Sequence, residues 1–326
     1  MDDRGLREAV RDRGTQEAVR VHDLTRKFGD FVAVDRAGFD VREGEIFGFL
    51  GPNGAGKTTT LRMLIGVLPP TSGEGWVAGH SILTEGEAIR RSIGYMSQRF
   101  SLYGDLTVDE NIRLFGGLYE VTGARFKTRR EWILEMAGLG DRVSQLAASL
   151  PLGWKQGLAL GCALIHEPPV LVLDEPTSGV DPVARRSFWE LINRLAEAGT
   201  TILVSTHYME EAEHCNRLVL MNRGRIIALD TPEGLRGRME EPLLELRTSN
   251  PPVAVEALKG SAGVLEAAMF GRAVHVVVEH EIRARQAMPS LLEARGIALE
   301  EMKRVLPSLE DVFVALVRKE GGALEG

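Results

Sequence analysis

The sequence predicts an α/β protein: a main body of parallel strands joined by crossover helices, interrupted by a purely helical block and followed by a small α+β domain. Three observations predict it. Short apolar runs alternate with helical patterns from Val19 to about Met239, the order that a parallel sheet with crossovers demands. Gly51-Pro52-Asn53-Gly54-Ala55-Gly56-Lys57-Thr58 fits G-x-x-x-x-G-K-[ST], a phosphate-binding loop (P-loop) that runs from a strand into a helix. After Pro242 the pattern restarts as Leu243 to Thr248, Val253 to Leu258, Val264 to Phe270, Ala273 to Glu279, Arg283 to Ala294 and Ile297 to Val305, a split β-α-β-β-α-β arrangement of the ferredoxin-like kind.

The elements follow in order. Residues 1 to 18 are dense in charge, with Asp2, Asp3, Arg4, Arg7 and Glu8 among them, and read as a solvated, flexible extension. Ile46 to Leu50 is an apolar run suited to a buried strand. Thr58 to Val67 puts Leu61, Leu64 and Ile65 on one helical face before Pro69 and Pro70 stop it. Between them, the backbone N–H groups of the segment Gly51 to Thr59 and the positive end of the helix dipole together favour bound phosphate. Lys57 can reach the β and γ phosphates, and the hydroxyl of Thr58 can ligate Mg2+. Thr59 extends the same nucleotide-binding loop.

Gln98 follows the run Ile93 to Ser97, where strand gives way to helix; its amide oxygen suits a metal ion. From about Phe100 to His166 helical patterns follow one another without a strand, opening on Thr107-Val108-Asp109-Glu110, a capping-box pattern. Val170 to Leu173 is a strand that ends in Asp174 and Glu175. An acidic residue at the carboxyl end of such a strand lies beside the phosphate loop, so Asp174 is the expected metal residue and Glu175 the expected general base for the attacking water. Thr201 to Ser205 is a neighbouring strand ending in Thr206-His207, which sets His207 as a sensor of the γ-phosphate. From 241 to 320 the chain forms the small accessory domain, closed by a helix from Pro307 to about Lys319 that Ser308 can cap and that packs through Val312, Phe313, Leu316 and Val317. Residues 321–326 are left as a tail.

Composition narrows the partners. The 326 residues are 44% hydrophobic and 26% charged, with 39 basic against 46 acidic residues and a net charge of −7. That balance lacks the basic excess that nucleic-acid phosphates require, so no nucleic-acid partner is expected. Two cysteines, Cys162 and Cys215, suit neither a disulfide framework nor, with His214, a zinc site. No stretch approaches the roughly 20 apolar residues that cross a bilayer, and Met1 to Arg20 has no apolar signal core. The chain is expected to be neither spanning nor secreted.

Taken together, GPNGAGKTT, the glutamine after IGYMS, LVLDEPTSGVDP and STH resemble the ATP-binding cassette family of transport ATPases in order and approximate spacing across residues 19 to 240. The resemblance implies a P-loop NTPase domain that binds ATP with Mg2+ and acts as a dimer. In that dimer each ATP lies between one subunit's phosphate loop and the other's signature segment. On that pattern Phe28 is similar to the aromatic that stacks on adenine, a role for which the ring face suffices; a core phenylalanine is the other reading. Asp181, in Ser178-Gly179-Val180-Asp181, resembles the loop that couples the two sites. The signature itself departs: Leu150-Pro151-Leu152-Gly153-Trp154 stands where LSGGQ is usual, removing a serine hydroxyl and a backbone N–H. Gly153 and the following helix can still offer backbone donors. A homodimer with altered hydrolysis and pairing with a paralogue that carries a complete signature both remain open.

LPLGWKQ with LVLDEPTSGVDP, and Pro307 to Phe313 at the end, are similar to ATPases that serve multidrug and ABC-2 type exporters. What this resemblance implies is an ATP-hydrolysing subunit on the cytoplasmic face of the cell membrane, driving a separate permease. Docking is expected through residues 98 to 105 and the neighbourhood of Glu110. A soluble ATPase of the same superfamily acting on ribosomes or DNA is the main alternative. A weakly hydrolysing regulatory module, motivated by Pro151 and Leu152, is another.

Overall fold

A computed structural model describes residues 17–98 and 102–319. The chain divides into two compact units between Thr231 and Pro232. The first holds β1 (Glu17–Phe28), β2 (Phe31–Arg42), β3 (Ile46–Leu50), α1 (Lys57–Leu64), β4 (Ser72–Val77), β5 (His80–Ser81), α2 (Gly86–Ser92) and β6 (Ile93–Met96). It continues with α3 (Val108–Leu118), α4 (Gly123–Met136), α5 (Leu152–Ala163), β7 (Val170–Asp174), α6 (Pro182–Glu197), β8 (Thr201–Thr206), α7 (Met209–Ala212), β9 (Arg217–Asn222) and β10 (Arg225–Asp230). The extension expected over residues 1 to 18 lies outside the described residues as far as residue 16, and Glu17 and Ala18 already belong to β1.

The central sheet runs β10-β9-β3-β8-β7-β6, parallel throughout except for the β9–β10 pair. Every residue of β3, β7 and β8 is buried, which explains why these strands read as unbroken apolar runs rather than alternating ones. Register decides here where the connecting loops emerge. Leu50 pairs with Thr206, Asp174 with Ser205 and Met96 with Leu173, so β3, β8, β7 and β6 end level with one another. Whatever follows each strand is delivered to one edge.

A second sheet, β2-β1-β4-β5, is antiparallel and adds to the α/β body strands that the parallel pattern did not anticipate. Its strands bury alternate stretches, and the two-residue turn Gly29-Asp30 joins β1 to β2 with Gly29 at φ 58°, a hairpin geometry that glycine permits. Val21, Leu24, Val34 and Val41 of this sheet share one core with Leu61 and Leu64 of α1 and with Phe47, Phe49, Val172 and Leu203 of the parallel sheet. Helix α1 stops at Leu64, short of the prolines, because Gly66 turns left-handed at φ 68°.

The helical block is inserted between two hydrogen-bonded neighbours, β6 and β7. Thr107 and Glu110 form the predicted capping box at α3. Val108, Ile112, Ile133, Leu158 and Ile165 make the block's own core. Asn111 is fully buried inside it; its Oδ1 accepts the Tyr103 N–H at 2.9 Å, and its amide nitrogen donates to the carbonyls of Tyr103 and Thr107 at 3.0 and 2.9 Å. Replacing Asn111 with alanine strands these backbone groups, so we expect a loss of about 2–3 kcal/mol in chemical unfolding.

The second unit comprises α8 (Pro232–Gly237), β11 (Leu243–Thr248), α9 (Pro251–Leu258), β12 (Val264–Phe270), β13 (Ala273–Val278), α10 (Glu281–Glu293), β14 (Leu299–Arg304) and α11 (Leu309–Lys319). Its sheet, β12-β13-β11-β14, is antiparallel. With helices between β11 and β12 and between β13 and β14, the order is that of the split βαβ pattern. Leu244, Leu246, Val274, Val276 and Val278 face α9 and α10 in one core. The opposite face carries His275, whose Nδ1 lies 2.9 Å from Asp311 of α11. Ser308 and Asp311 close a capping box at the start of α11, which buries Ala315 rather than Leu316 beside Val312, Phe313 and Val317. The tail 321–326 lies outside the described residues.

Candidate nucleotide-binding site

The level strand ends assemble the site. β3 leads into the loop 51–56, whose shape depends on two glycines. A Cβ on Gly51 would stand 2.3 Å from the Met221 carbonyl oxygen, and one on Gly56 2.6 Å from that of Ala33, with Gly56 at φ 104°. Neither position has room for a side chain. Lys57 opens α1, yet its side chain folds back over the loop, only 4% exposed. Its Nζ donates to the carbonyls of Gly51 and Pro52 at 2.8 and 3.1 Å and lies 3.4 Å from Glu175 Oε1. Burial pulls the Lys57 ammonium below its ordinary pKa, against the opposing pull of the Glu175 and Asp174 carboxylates.

Asp174, at the last position of β7, accepts the Thr58 hydroxyl at 2.9 Å and the Ser205 hydroxyl at 2.6 Å on the same oxygen, Oδ1. Its other oxygen has no hydrogen bond among the described residues. Glu175 follows with a left-handed backbone, φ 49°, which turns its side chain away from that of Asp174. Its N–H is fixed by the Ser205 carbonyl and hydroxyl. Oε1 faces Lys57; Oε2 accepts the Gln98 amide at 3.1 Å and lies 3.4 Å from His207 Nδ1. The His207 nitrogen is buried there without hydrogen-bond alignment, and its ring lies 4.1 Å from that of Tyr208.

A cavity of about 400 Å³ opens over these groups, lined by Phe28, Phe31, the loop from Asn53 to Thr59, Gln98 and Glu175. Phe28 is not a core residue. It is 47% exposed, pairs across the hairpin with Phe31, and carries the Arg26 guanidinium 4.5 Å from its ring centre. The Thr58 hydroxyl, the free Asp174 oxygen and the Gln98 amide oxygen are all hard donors, the set a Mg2+ ion takes.

Gly153 and Asp181 do not join this group. Both line a second cavity of about 380 Å³ with Pro151 and Trp154, and Asp181 caps α6, accepting the Val183 and Ala184 N–H groups. Pro151 occupies the cap of α5 without a side-chain bond. Cys215 is buried against Gly48, and His214 stacks on Trp189. Ser205 and Phe31 escaped the sequence reading. A hydroxyl in register with Asp174 and a second aromatic across a two-residue turn are signals visible only once strand pairing is known.

The sequence profile of the family described as ABC transporter matches residues 34–178. The probable multidrug ABC transporter ATP-binding protein YbhF of Escherichia coli is 49% identical over 223 residues, 68% of this chain, and the match spans 39% of that relative's length. The daunorubicin resistance ATP-binding protein DrrA2 of Streptomyces coeruleorubidus is 34% identical over 304 residues, 92% of this chain and 94% of its own. Among solved structures, the dimeric post-hydrolysis state of the ATP-binding cassette MJ0796 bound to ADP and Pi superposes with a TM-score of 0.60 at 28% identity, covering 65% of this chain and 98% of that one. Fold, phosphate loop and near full-length identity agree: the chain belongs to the ATP-binding proteins of ABC transporters.

Proposed function

We propose that this chain is the ATP-hydrolysing subunit of an exporter, working on the cytoplasmic face of the membrane with a separate membrane-spanning permease. The observation that carries the reading is Glu175, buried at the mouth of the phosphate loop and facing Lys57 on one oxygen and Gln98 and His207 on the other. In this reading Glu175 accepts the proton of the attacking water, His207 holds the γ-phosphate, and Lys57 with the loop N–H groups binds the β and γ phosphates. Thr58, Asp174 and Gln98 hold Mg2+, which when bound neutralises phosphate charge. Gly153 and Asp181 act on the nucleotide of a second cassette. The names of YbhF and DrrA2 support efflux of drugs or other small molecules.

Among the described residues no helix is long and apolar enough to cross a membrane, so transport in this reading depends on docking. Within the expected docking surface on the helical block Tyr103 leaves apolar surface exposed, which supports docking there; residues 99–101 of that surface lie outside the described residues. Stacking of adenine on Phe28 carries its own expectation. Phe28→Ala raises the KM for ATP about tenfold with kcat little changed, and Phe28→Tyr restores it.

The exporter reading is tested by purifying a Glu175→Gln variant from detergent-solubilised membranes of the native host with Mg-ATP present. A polytopic membrane protein in near-stoichiometric yield is the expected companion, and a paralogous ATPase beside it would identify a heterodimer. Ribosomes, or no partner, would overturn the assignment.

A further inference from the structure

We propose that Glu211 is a positioning residue for hydrolysis, tying the loop that carries Glu175 to the loop that carries His207. Glu211 lies in the short α7 and is only 1% exposed. One carboxylate oxygen, Oε1, accepts the hydroxyl of Thr177, two residues beyond Glu175. The other accepts the hydroxyl of Thr206, the residue before His207, at 2.7 Å. That same Thr206 oxygen receives the Tyr208 N–H at 2.9 Å, on the far side of the histidine. A single carboxylate therefore brackets both groups from outside the site.

Arg185 completes the device. Its Nε stands 3.3 Å from Glu211 Oε1, its Nη2 donates to the Val180 carbonyl at 3.3 Å, and its guanidinium lies 4.3 Å from the centre of the Tyr208 ring. A second tie reaches the same loop from α5, where the buried Gln156 amide donates to the Pro176 carbonyl. Segment 175–181 is thus held by α5 at Pro176, by α7 at Thr177 and by α6 at Val180.

Stability alone gives little reason for such an arrangement, because a buried ion pair is often no more stabilising than well-packed apolar residues. Position gives one. Strand register between β7 and β8 fixes Asp174 against Ser205 and reaches the Glu175 backbone through its N–H to Ser205, but the segment after Glu175 and His207 itself lie beyond that ladder. Glu211 supplies the constraint there, and hydrolysis depends on it because a reacting group misplaced by about 1 Å can lose about 10²-fold in rate.

This rests on the roles given above to Glu175 and His207. Thr177→Val and Thr206→Val each remove one hydroxyl while leaving every group at the phosphate loop in place. In steady-state assays of the full chain with Mg-ATP, each is expected to lower kcat about tenfold with KM within about twofold of wild type. The double variant should lose less than the product of the two, since both act through one carboxylate. Arg185→Lys should retain more turnover than Arg185→Met. Wild-type kcat in both valine variants, with Glu175→Gln inactive, would overturn the proposal. Loss of kcat matched by equal losses of ATP binding and thermal stability would overturn it in favour of a role in the fold. Full turnover by Glu175→Gln would instead remove the assignment beneath it.

Discussion

Glu175→Gln is expected to lower ATP turnover by about 10²–10⁴-fold while leaving ATP binding nearly intact. The amide keeps the size and much of the bonding of the carboxylate, including a contact to Gln98, but it has no basic oxygen to take a proton from water. The variant should show the signature of a lost transition-state interaction, kcat and kcat/KM falling together. Binding is measured with nucleotide and EDTA in place of turnover conditions, and hydrolysis by phosphate release. A variant that binds normally and hydrolyses normally would move the base elsewhere.

Lys57→Ala should fail at the earlier step. In the proposed role the ammonium would make charge-assisted contacts to phosphate, each worth about 1.5–3 kcal/mol, so affinity for ATP is expected to fall about 10²-fold. A second effect follows from burial. Lys57 is the cation 3.4 Å from Glu175, and the two side chains are 4% and 7% exposed, so its removal leaves a buried carboxylate without that counter-charge. The lysine variant should therefore be less stable than the wild type, and adding Glu175→Gln should recover part of that stability. Thermal unfolding of the single and double variants measures the coupling directly; additive effects would show that the pair contributes nothing.

Much of the candidate site was legible because parallel strands deliver the residues that follow them to one edge of the sheet. The apolar runs Ile46–Leu50, Val170–Leu173 and Thr201–Ser205 announced three such ends, and the residues just beyond them supplied Lys57, Asp174, Glu175 and His207. Gln98 was legible for the same reason. Residues whose importance lies in long-range pairing were not. Ser205 looks like an ordinary strand residue until its register with Asp174 is known, and Glu211 is one of several acids in Met209-Glu210-Glu211-Ala212-Glu213. The antiparallel sheet was missed because β1 and β2 mix charged and apolar residues with irregular register, which blurs the period of two. The C-terminal strands, short and bounded by Gly and Pro, were easier.

The left-handed backbone at Glu175 also filters which mutations can persist at this codon. Asparagine, aspartate and glycine adopt φ near 50° readily, and an unbranched glutamine tolerates it, whereas valine, isoleucine and threonine crowd their own backbone there. A lineage that abandons hydrolysis at this position while keeping its fold is thereby steered toward amides, aspartate or glycine.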